Sequence, residues 1–276
     1  MIGEAKATNL VIDIDWAAMS ALEQKTFFDE NGFLVISGAI GTDELGKILS
    51  DIQSSGLTGL TEDIWAAPSI GPLIENPRLL SVLQNILGNA VLFFKGAYVE
   101  TPPKRIAGAT ARPKVFHVDY GVGEQIGDFR NSCASWINVG HYLTDMTPEL
   151  APFWVVPGSN RDYSLVPGSD MAHLADKARM VLAKAGDALL IHCMTVHAGG
   201  DNDSDETRHA VFLSYRPIWA RPVGRVRGWP KKFIESAPPE RKKLLVGLNR
   251  GISYHRSRAR IFLSRVRKSV DARLSK

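Results

Sequence analysis

The stretch Gly186-Asp187-Ala188-Leu189-Leu190-Ile191-His192 indicates the fold class of this chain. Gly-Asp is typical of a turn, and the four apolar residues that follow it form a short buried strand. A second histidine, His197, comes five residues after His192. The same arrangement of turn and strand recurs through the middle of the chain.

Short apolar or alternating runs, broken by Gly, Pro, Asn and Asp, extend from residue 91 to residue 215. Several short strands at this spacing, with no helices between them, favour an antiparallel sandwich or jelly roll over a parallel sheet. We therefore expect a mainly β fold with helical decoration. The predicted strands are Val91–Glu100, Val115–Tyr120, Ser135–Leu143, Phe153–Val156, Ala188–His192 and Ala210–Tyr215.

Helical spacing of apolar residues dominates the first ninety positions. We predict a helix from Met19 to Glu30 that stops at Asn31-Gly32, a second from a cap at Thr42 to just before Gly56, and a third from Asn76-Pro77 to Gly88. Phe33 to Ile36 forms a short strand between the first two. The chain is thus expected to be one domain, with helical support at 1–90, a jelly-roll core at 91–217 and a basic helical extension at 218–276.

Composition limits the classes of protein to which the chain can belong. Its 276 residues, 45% of them hydrophobic, can bury a sizeable core. The two cysteines, Cys133 and Cys193, are too few for a disulfide scaffold and match no zinc spacing, so we expect a reducing, cytoplasmic setting. Neither a secretory leader nor a membrane span is predicted.

Positive charge is concentrated at the C-terminal end. Residues 219–276 hold 17 Lys and Arg against 3 Asp and Glu, so this segment carries a formal +14 while the rest carries −10. Such a segment could bind nucleic acid, an anionic membrane surface or an acidic substrate, or it could be a solvated basic face. His255 to Leu274 has the pattern of a basic amphipathic helix, for which packing on the domain or across a homodimer is the expected role. No motif for specific nucleic-acid recognition accompanies it.

The triplet His117-Val118-Asp119 is the first candidate metal site. On a strand, residues i and i+2 point to the same face, so an imidazole and a carboxylate would converge. With a second histidine they would form the two-histidine, one-carboxylate set that suits iron(II) and leaves coordination positions open. Alone the triplet is weak support, since a His and an Asp at a strand end are commonly surface residues.

The second half of the pattern comes from the C-terminal strands. Arg208 follows His197 by eleven residues, near the start of the strand Ala210–Tyr215. A guanidinium there can bind the distal carboxylate of a dicarboxylic acid through two parallel hydrogen bonds. An ordinary surface or ion-paired arginine is the alternative, and the spacing to His197 counts against it.

Taken together, these segments resemble the phytanoyl-CoA dioxygenase family of iron(II)/2-oxoglutarate oxygenases. The resemblance extends from about Phe27 to Pro217 and its pieces are jointly specific. It rests on three segments: His192-Cys193-Met194-Thr195-Val196-His197-Ala198-Gly199-Gly200-Asp201-Asn202, Trp154-Val155-Val156-Pro157-Gly158-Ser159-Asn160 and Asp29-Glu30-Asn31-Gly32-Phe33-Leu34-Val35.

This resemblance implies a double-stranded β-helix that uses Fe(II), 2-oxoglutarate and O2. It implies that His117, Asp119 and His197 bind the iron and that Arg208 anchors 2-oxoglutarate. Hydroxylation of a small molecule, with release of succinate and CO2, is the expected outcome. Halogenation is disfavoured because Asp119 leaves no ligand position for chloride, while desaturation, epoxidation and rearrangement stay open.

Two residues of one predicted strand are further candidates for the cosubstrate site. Trp136 stands where the family often places an aromatic beside 2-oxoglutarate, with core packing as the alternative. Strand alternation would put it on the same face as Asn138, Gly140 and Tyr142. Asn138 is a polar residue in an otherwise apolar strand, so it needs a partner.

The chain also departs from the family pattern. Gly199 stands where many members carry a serine that helps to hold the cosubstrate, and Asn160 replaces a histidine. Arg112, Lys114 and Arg130, in the loops that flank the metal triplet, could bind an anionic substrate or could be ordinary exposed cations.

Three other interpretations of the whole chain stay open. The jelly roll could be a catalytically idle binding module, or a scaffold for the basic C-terminal segment. It could also hold another divalent metal for hydrolysis or isomerisation. The oligomeric state is expected to be monomer or homodimer.

Overall fold

The computed structural model describes residues 11–104, 113–119, 134–165, 170–222 and 226–248. Its strands are β1 (Phe33–Ile36), β2 (Leu60–Thr61), β3 (Val91–Thr101), β4 (Ile137–Tyr142), β5 (Phe153–Val155), β6 (Arg179–Val181), β7 (Ala188–His192), β8 (His197–Gly199) and β9 (Arg208–Pro217). Its α-helices are α1 (Ala21–Asn31), α2 (Thr42–Ser55), α3 (Pro77–Leu87), α4 (Lys231–Ser236) and α5 (Pro239–Leu244). Short 3-10 helices span Trp16–Ala18, Ile64–Ala66, Pro68–Glu75, Ser159–Arg161 and Ala172–Lys177.

The strands form two antiparallel sheets. The larger sheet has the order β1-β7-β4-β9-β3-β2, and the smaller has the order β6-β5-β8. Side chains from both sheets, among them Phe33, Tyr142, Phe153 and Leu189, share one hydrophobic cluster, so the two sheets pack face to face. This arrangement confirms the predicted antiparallel jelly roll.

The outer face of the larger sheet is covered by helices. Leu34 and Leu190 point into a second apolar cluster with Ile48 of α2 and Leu83 of α3. The side chains of β1 therefore alternate between the two faces of the sheet. Phe33 and Val35 point toward the smaller sheet, and Leu34 points toward the helices. The helical first third thus also supplies two strands, β1 and β2, to the larger sheet.

Local sequence signals explain where the helices begin and end. Helix α1 opens with a capping box between Ser20 and Glu23, and it closes at Gly32, whose φ is 78°. Helix α3 is capped by the Asn76 side chain, which accepts a hydrogen bond from the Leu79 amide at 3.1 Å. The cap predicted at Thr42 is one residue off, because the cap of α2 is Gly41 and no side chain caps it.

The predicted strand from Val115 to Tyr120 is not a regular strand in residues 113–119. Two isolated bridges take its place, Pro113 with Gly200 and His117 with His197. The backbone is thus held to the neighbouring segment at single points and not by a continuous ladder.

The described part of the basic C-terminal quarter packs against the domain. Trp229 and Leu244 join the helix-side core, and Arg241 donates from Nε and Nη2 to Glu75, both at 2.7 Å. Residues 255–274, for which a basic helix is predicted, lie outside the described residues. No helix in the described part of the chain combines the length and the apolar character that a membrane crossing needs.

Candidate metal and cosubstrate site

His117 and His197 meet across the bridge between their backbones. The His117 amide donates to the His197 carbonyl at 3.0 Å, and the His197 amide donates to the His117 carbonyl at 2.9 Å. Their rings lie 4.4 Å apart between centroids. This pairing brings two candidate ligands together although they are eighty residues apart in the sequence.

His197 is fixed by the two other segments that resemble the family. The Thr195 hydroxyl donates to the Gly32 carbonyl at 2.8 Å, and the Val196 amide donates to the Ser159 hydroxyl oxygen at 2.8 Å. A Cβ on Gly32 would lie 2.1 Å from Thr195 Oγ1, so the glycine is needed for this approach as well as for its positive φ. The three segments therefore form one support for His197.

The candidate ligand atoms of His117, Asp119 and His197 all lie within 4.8 Å of one another. Asp119 Oδ1 is 4.0 Å from His117 Nε2 and 3.7 Å from His197 Nε2. Both imidazoles donate from Nδ1 to backbone carbonyls, of Val115 at 3.1 Å and of Thr195 at 2.9 Å. Each Nε2 lone pair is therefore available to a metal, as ligand histidines require.

The environment of His197 favours its neutral, ligating form. Its side chain is 8% exposed, against 53% for His117. Burial lowers the pKa of His197 and outweighs the opposing effect of the Asp119 carboxylate. Two neutral imidazoles and one carboxylate make a donor set that fits iron(II).

A short chain of hydrogen bonds holds the Asp119 carboxylate. The Asn138 amide donates to Asp119 Oδ2, and the Ser214 hydroxyl donates to Asn138 Oδ1. Oδ1 is thereby left on the side of the two histidines. The partner that Asn138 was predicted to need is thus a candidate metal ligand.

The triad opens into a cavity of about 400 Å³ between the sheets. Fourteen residues line it: Leu60, Lys95, Ala97, Val99, His117, Asp119, Asn138, Phe153, Ile191, His197, Gly199, Arg208, Phe212 and Ser214. A cavity of this size, apolar with a few polar groups, is typical of small-molecule sites.

Arg208 contributes a buried positive charge to this cavity. The residue is 7% exposed, and Nη1 donates to the Ala151 carbonyl at 2.9 Å. Its Nε has no hydrogen-bond partner among the described residues. Ala151 has a φ of 45°, an uncommon value for a residue with a side chain. A buried guanidinium with an unused donor suits a carboxylate ligand.

Trp136 does not line the cavity. It precedes β4 and packs edge-on against Phe94, with 6.1 Å between ring centroids, beside Cys193 and Met194. Strand alternation holds from Ile137 onward and does not extend to Trp136, so this residue departs from the row of Asn138, Gly140 and Tyr142. The position supports the core-packing alternative.

Of the three loop cations, Lys114 alone falls within the described residues, and Arg112 and Arg130 lie outside them. Lys114 Nζ is 3.8 Å from Asp201. It lines a separate cavity of about 290 Å³ together with Asp170 and Met171. The structure therefore does not bring Lys114 to the cavity of the triad.

Gly199 leaves open space on the cavity wall. A Cβ built on this residue would meet no atom within 4 Å. A serine would fit here without displacing a neighbour, so the departure from the family pattern leaves free volume beside the triad.

Sequence reasoning missed two polar residues of the cavity, Lys95 and Ser214. Lys95 is a lone charge in the run Val91–Tyr98, and a charge in a buried strand needs a partner. Ser214 directly follows the apolar run Ala-Val-Phe-Leu at 210–213 in strand β9. The same argument that singled out Asn138 could have found both.

The sequence profile of the phytanoyl-CoA dioxygenase family matches residues 59–210. Among curated proteins, the chain is similar to an ectoine dioxygenase of Bordetella bronchiseptica. The two are 21% identical over 243 residues, a match that covers 73% of this chain and 76% of the relative.

Solved structures show the same fold. The structure of EctD from S. alaskensis, with 2-oxoglutarate and 5-hydroxyectoine, aligns with a TM-score of 0.60 and 22% identity, covering 76% of this chain and 80% of EctD. HygX from Streptomyces hygroscopicus, with nickel and 2-oxoglutarate, aligns with a TM-score of 0.55 and 20% identity, covering 73% and 88%. The epimerase SnoN from nogalamycin biosynthesis, described as α-ketoglutarate dependent, aligns with a TM-score of 0.57 and 18% identity, covering 71% and 80%.

Proposed function

The chain belongs to the phytanoyl-CoA dioxygenase family, and from that premise we propose that it hydroxylates an unactivated C–H bond of a small molecule as a non-haem iron(II), 2-oxoglutarate-dependent dioxygenase. In this reaction one oxygen atom of O2 enters the C–H bond and the other enters succinate, while 2-oxoglutarate loses CO2. We also propose a cytoplasmic location, since two cysteines offer little scope for disulfides.

The observation that carries the proposal is the placement of two unlike groups in one cavity. His117, Asp119 and His197 converge at one position on its wall, and the buried Arg208 occupies another. A 2-oxo acid has a chelating end for a metal and a distal carboxylate for a guanidinium. The cavity offers a complementary group for each end.

Iron(II), when bound by His117, Asp119 and His197, would supply the oxidative chemistry. The protein's own residues would set the geometry around it. Asn138 and Ser214 would hold Asp119 in one orientation, and the backbone carbonyls of Val115 and Thr195 would fix the imidazole tautomers. Arg208 would hold the distal carboxylate, and the rings of Phe153 and Phe212, which also line the cavity, would help to exclude water from it.

The test is succinate release from 2-oxoglutarate by iron-loaded protein, with and without pooled small metabolites. We expect iron-dependent succinate that rises with at least one pool. It should fall by at least a hundredfold in Arg208→Ala, and in Asp119→Ala it should be lost together with metal binding.

A folded protein that binds neither iron nor 2-oxoglutarate would contradict the proposal and leave the idle binding module in its place. Metal-dependent turnover of a substrate without 2-oxoglutarate would instead favour a hydrolase or isomerase.

A further inference from the structure

We propose that Lys95 makes the outer wall of the cavity a binding site for an oxyanion, the carboxylate or phosphate group of the primary substrate. The inference rests on the proposed function, because it assumes that the triad holds the metal and that Arg208 holds 2-oxoglutarate. It names the class of substrate for the same cavity: a small organic acid or phosphate ester.

A β-bulge turns Lys95 into the cavity. Strand β3 pairs with β9 in regular register except between Phe93 and Lys95, where one residue is inserted. Phe93 faces the helix-covered core, where it stacks on Trp229 with 4.8 Å between ring centroids. In a regular strand Lys95 would share that apolar face with Phe93. The bulge moves it to the opposite face, and bulges that redirect a side chain are common beside active sites.

Lys95 lies on the same cross-strand row as the groups that hold Asp119. Its register partner is Ser214, and the register partner of Ser214 on the far side is Asn138. Neighbouring strands are about 4.8 Å apart, so about 10 Å separates the backbones of Lys95 and Asn138. The flexible four-carbon stem of lysine can cover much of that distance. The ammonium group can therefore reach a molecule that lies beside the metal position.

Lys95 and Arg208 are too far apart to serve one carboxylate. Arg208 pairs with Thr101, six residues along β3 from Lys95, which is about 20 Å of extended strand. Besides the two histidines, the described charged residues that line the cavity are Lys95, Asp119 and Arg208. Asp119 and Arg208 are assigned to the metal and the cosubstrate, so Lys95 is the cation that faces a substrate.

The present partner of Lys95 is one that a ligand can replace. Lys95 Nζ lies 3.0 Å from Glu62 Oε1, and the two side chains are 42% and 36% exposed. Exposed ion pairs of this kind contribute little to stability. Glu62 does not line this cavity, whereas Lys95 does; the two residues together line a separate, smaller cavity beside Trp65 and Trp229. An oxyanion in the cavity can therefore take the ammonium group from Glu62 at small cost.

The test measures binding of four probes to the protein loaded with nickel(II) and 2-oxoglutarate in the absence of oxygen. Acetate and glycerol phosphate are compared with their uncharged counterparts, acetamide and glycerol, by isothermal titration calorimetry. The variants are Lys95→Met, Lys95→Arg and Lys114→Met. The last is the matched control, since Lys114 is a comparably exposed lysine near the triad that pairs with Asp201 outside this cavity.

We expect wild type to bind the charged probes at least tenfold more tightly than the uncharged ones, as suits a charge-assisted hydrogen bond. Lys95→Met should abolish this preference, Lys95→Arg should keep it, and Lys114→Met should not change it. Glu62→Gln should strengthen binding of the charged probes, because it frees the ammonium group.

Three results would overturn the inference. One is equal binding of charged and uncharged probes in wild type. The second is an unchanged preference in Lys95→Met. The third is a loss of 2-oxoglutarate affinity in Lys95→Met, which would assign the lysine to the cosubstrate. Nickel and 2-oxoglutarate binding are measured first in the same protein, so a failure at that stage would count against the proposed function and not against Lys95.

Discussion

The two cations of the cavity differ in how firmly they are held. Arg208 is 7% exposed and bound to the Ala151 carbonyl, whereas the Lys95 side chain is 42% exposed and paired with the half-buried Glu62. A fixed, planar guanidinium suits a carboxylate held in one set geometry, whereas a flexible ammonium group can adapt to an oxyanion whose position is less defined. This difference supports the proposal that the Arg208 end of the cavity binds the cosubstrate and the Lys95 end binds the substrate.

The largest expected effect separates these two cations directly. Arg208→Met should weaken 2-oxoglutarate binding at least a hundredfold, because it would remove the proposed bidentate ion pair with the distal carboxylate. Lys95→Met should change it less than threefold. Calorimetric titration of 2-oxoglutarate into metal-loaded protein measures both, and comparable losses in the two variants would erase the distinction.

The next effect concerns the hydrogen bonds that position Asp119. Asn138→Leu removes the amide that donates to Asp119 Oδ2, and we expect metal affinity to fall about 10- to 100-fold, as for other groups behind metal ligands. Ser214→Ala should cause a smaller loss, because it frees the Asn138 amide without removing it.

Metal titration of the purified variants measures these changes, with Ser54→Ala as the control. Ser54 is an exposed serine whose hydroxyl donates to the Ser50 carbonyl on α2. Unchanged metal affinity in Asn138→Leu would show that Asp119 needs no such support.

The smallest effect comes from the free volume at Gly199. Gly199→Ser places a hydroxyl in open space on the cavity wall, so the melting temperature should not change and 2-oxoglutarate affinity should rise a few-fold. Gly200→Ser is the matched contrast. Its Cβ would lie 2.7 Å from Pro152 Cδ and 3.0 Å from the Pro152 nitrogen, which should cost about 1–3 kcal/mol of stability. Thermal unfolding compares the two, and a larger loss at Gly199 would contradict the geometry.

Much of the fold could be predicted because its signals are local. The turn at Gly186-Asp187, the cap at Asn76 and the end of α1 at Gly32 depend on neighbouring residues, and the structure has them where the sequence places them. The segment around His117 was harder, since two isolated bridges to distant residues hold it and no run of its own sequence could show that.

Spacing and chemistry predicted five residues of the site, and in the structure all five line the same cavity: His117, Asp119, His197, Asn138 and Arg208. Their roles as ligands of iron and 2-oxoglutarate stay predictions.

The sequence alone did not predict Lys95 as a cavity residue, for a physical reason. The face of the sheet on which the Lys95 side chain lies depends on an inserted residue in β3. That insertion becomes visible only when β3 is paired with β9, which lies more than a hundred residues further along the chain. Trp136 shows the converse, because alternation was extended one residue beyond the start of β4. The orientation of each side chain depends on where strand pairing begins or shifts register, and the local sequence pattern does not show this.

The most direct test of the proposed function is whether 2-oxoglutarate binding depends on a metal ion held by His117, Asp119 and His197. Calorimetric titration of 2-oxoglutarate would be run in the absence of oxygen, with iron(II)-loaded wild type, with metal-free wild type and with Asp119→Ala. We predict binding at one site per chain in the iron-loaded protein and at least a hundredfold weaker binding in the other two. Equal affinity in all three would show that the triad does not hold a metal that chelates 2-oxoglutarate, and would contradict the proposed function.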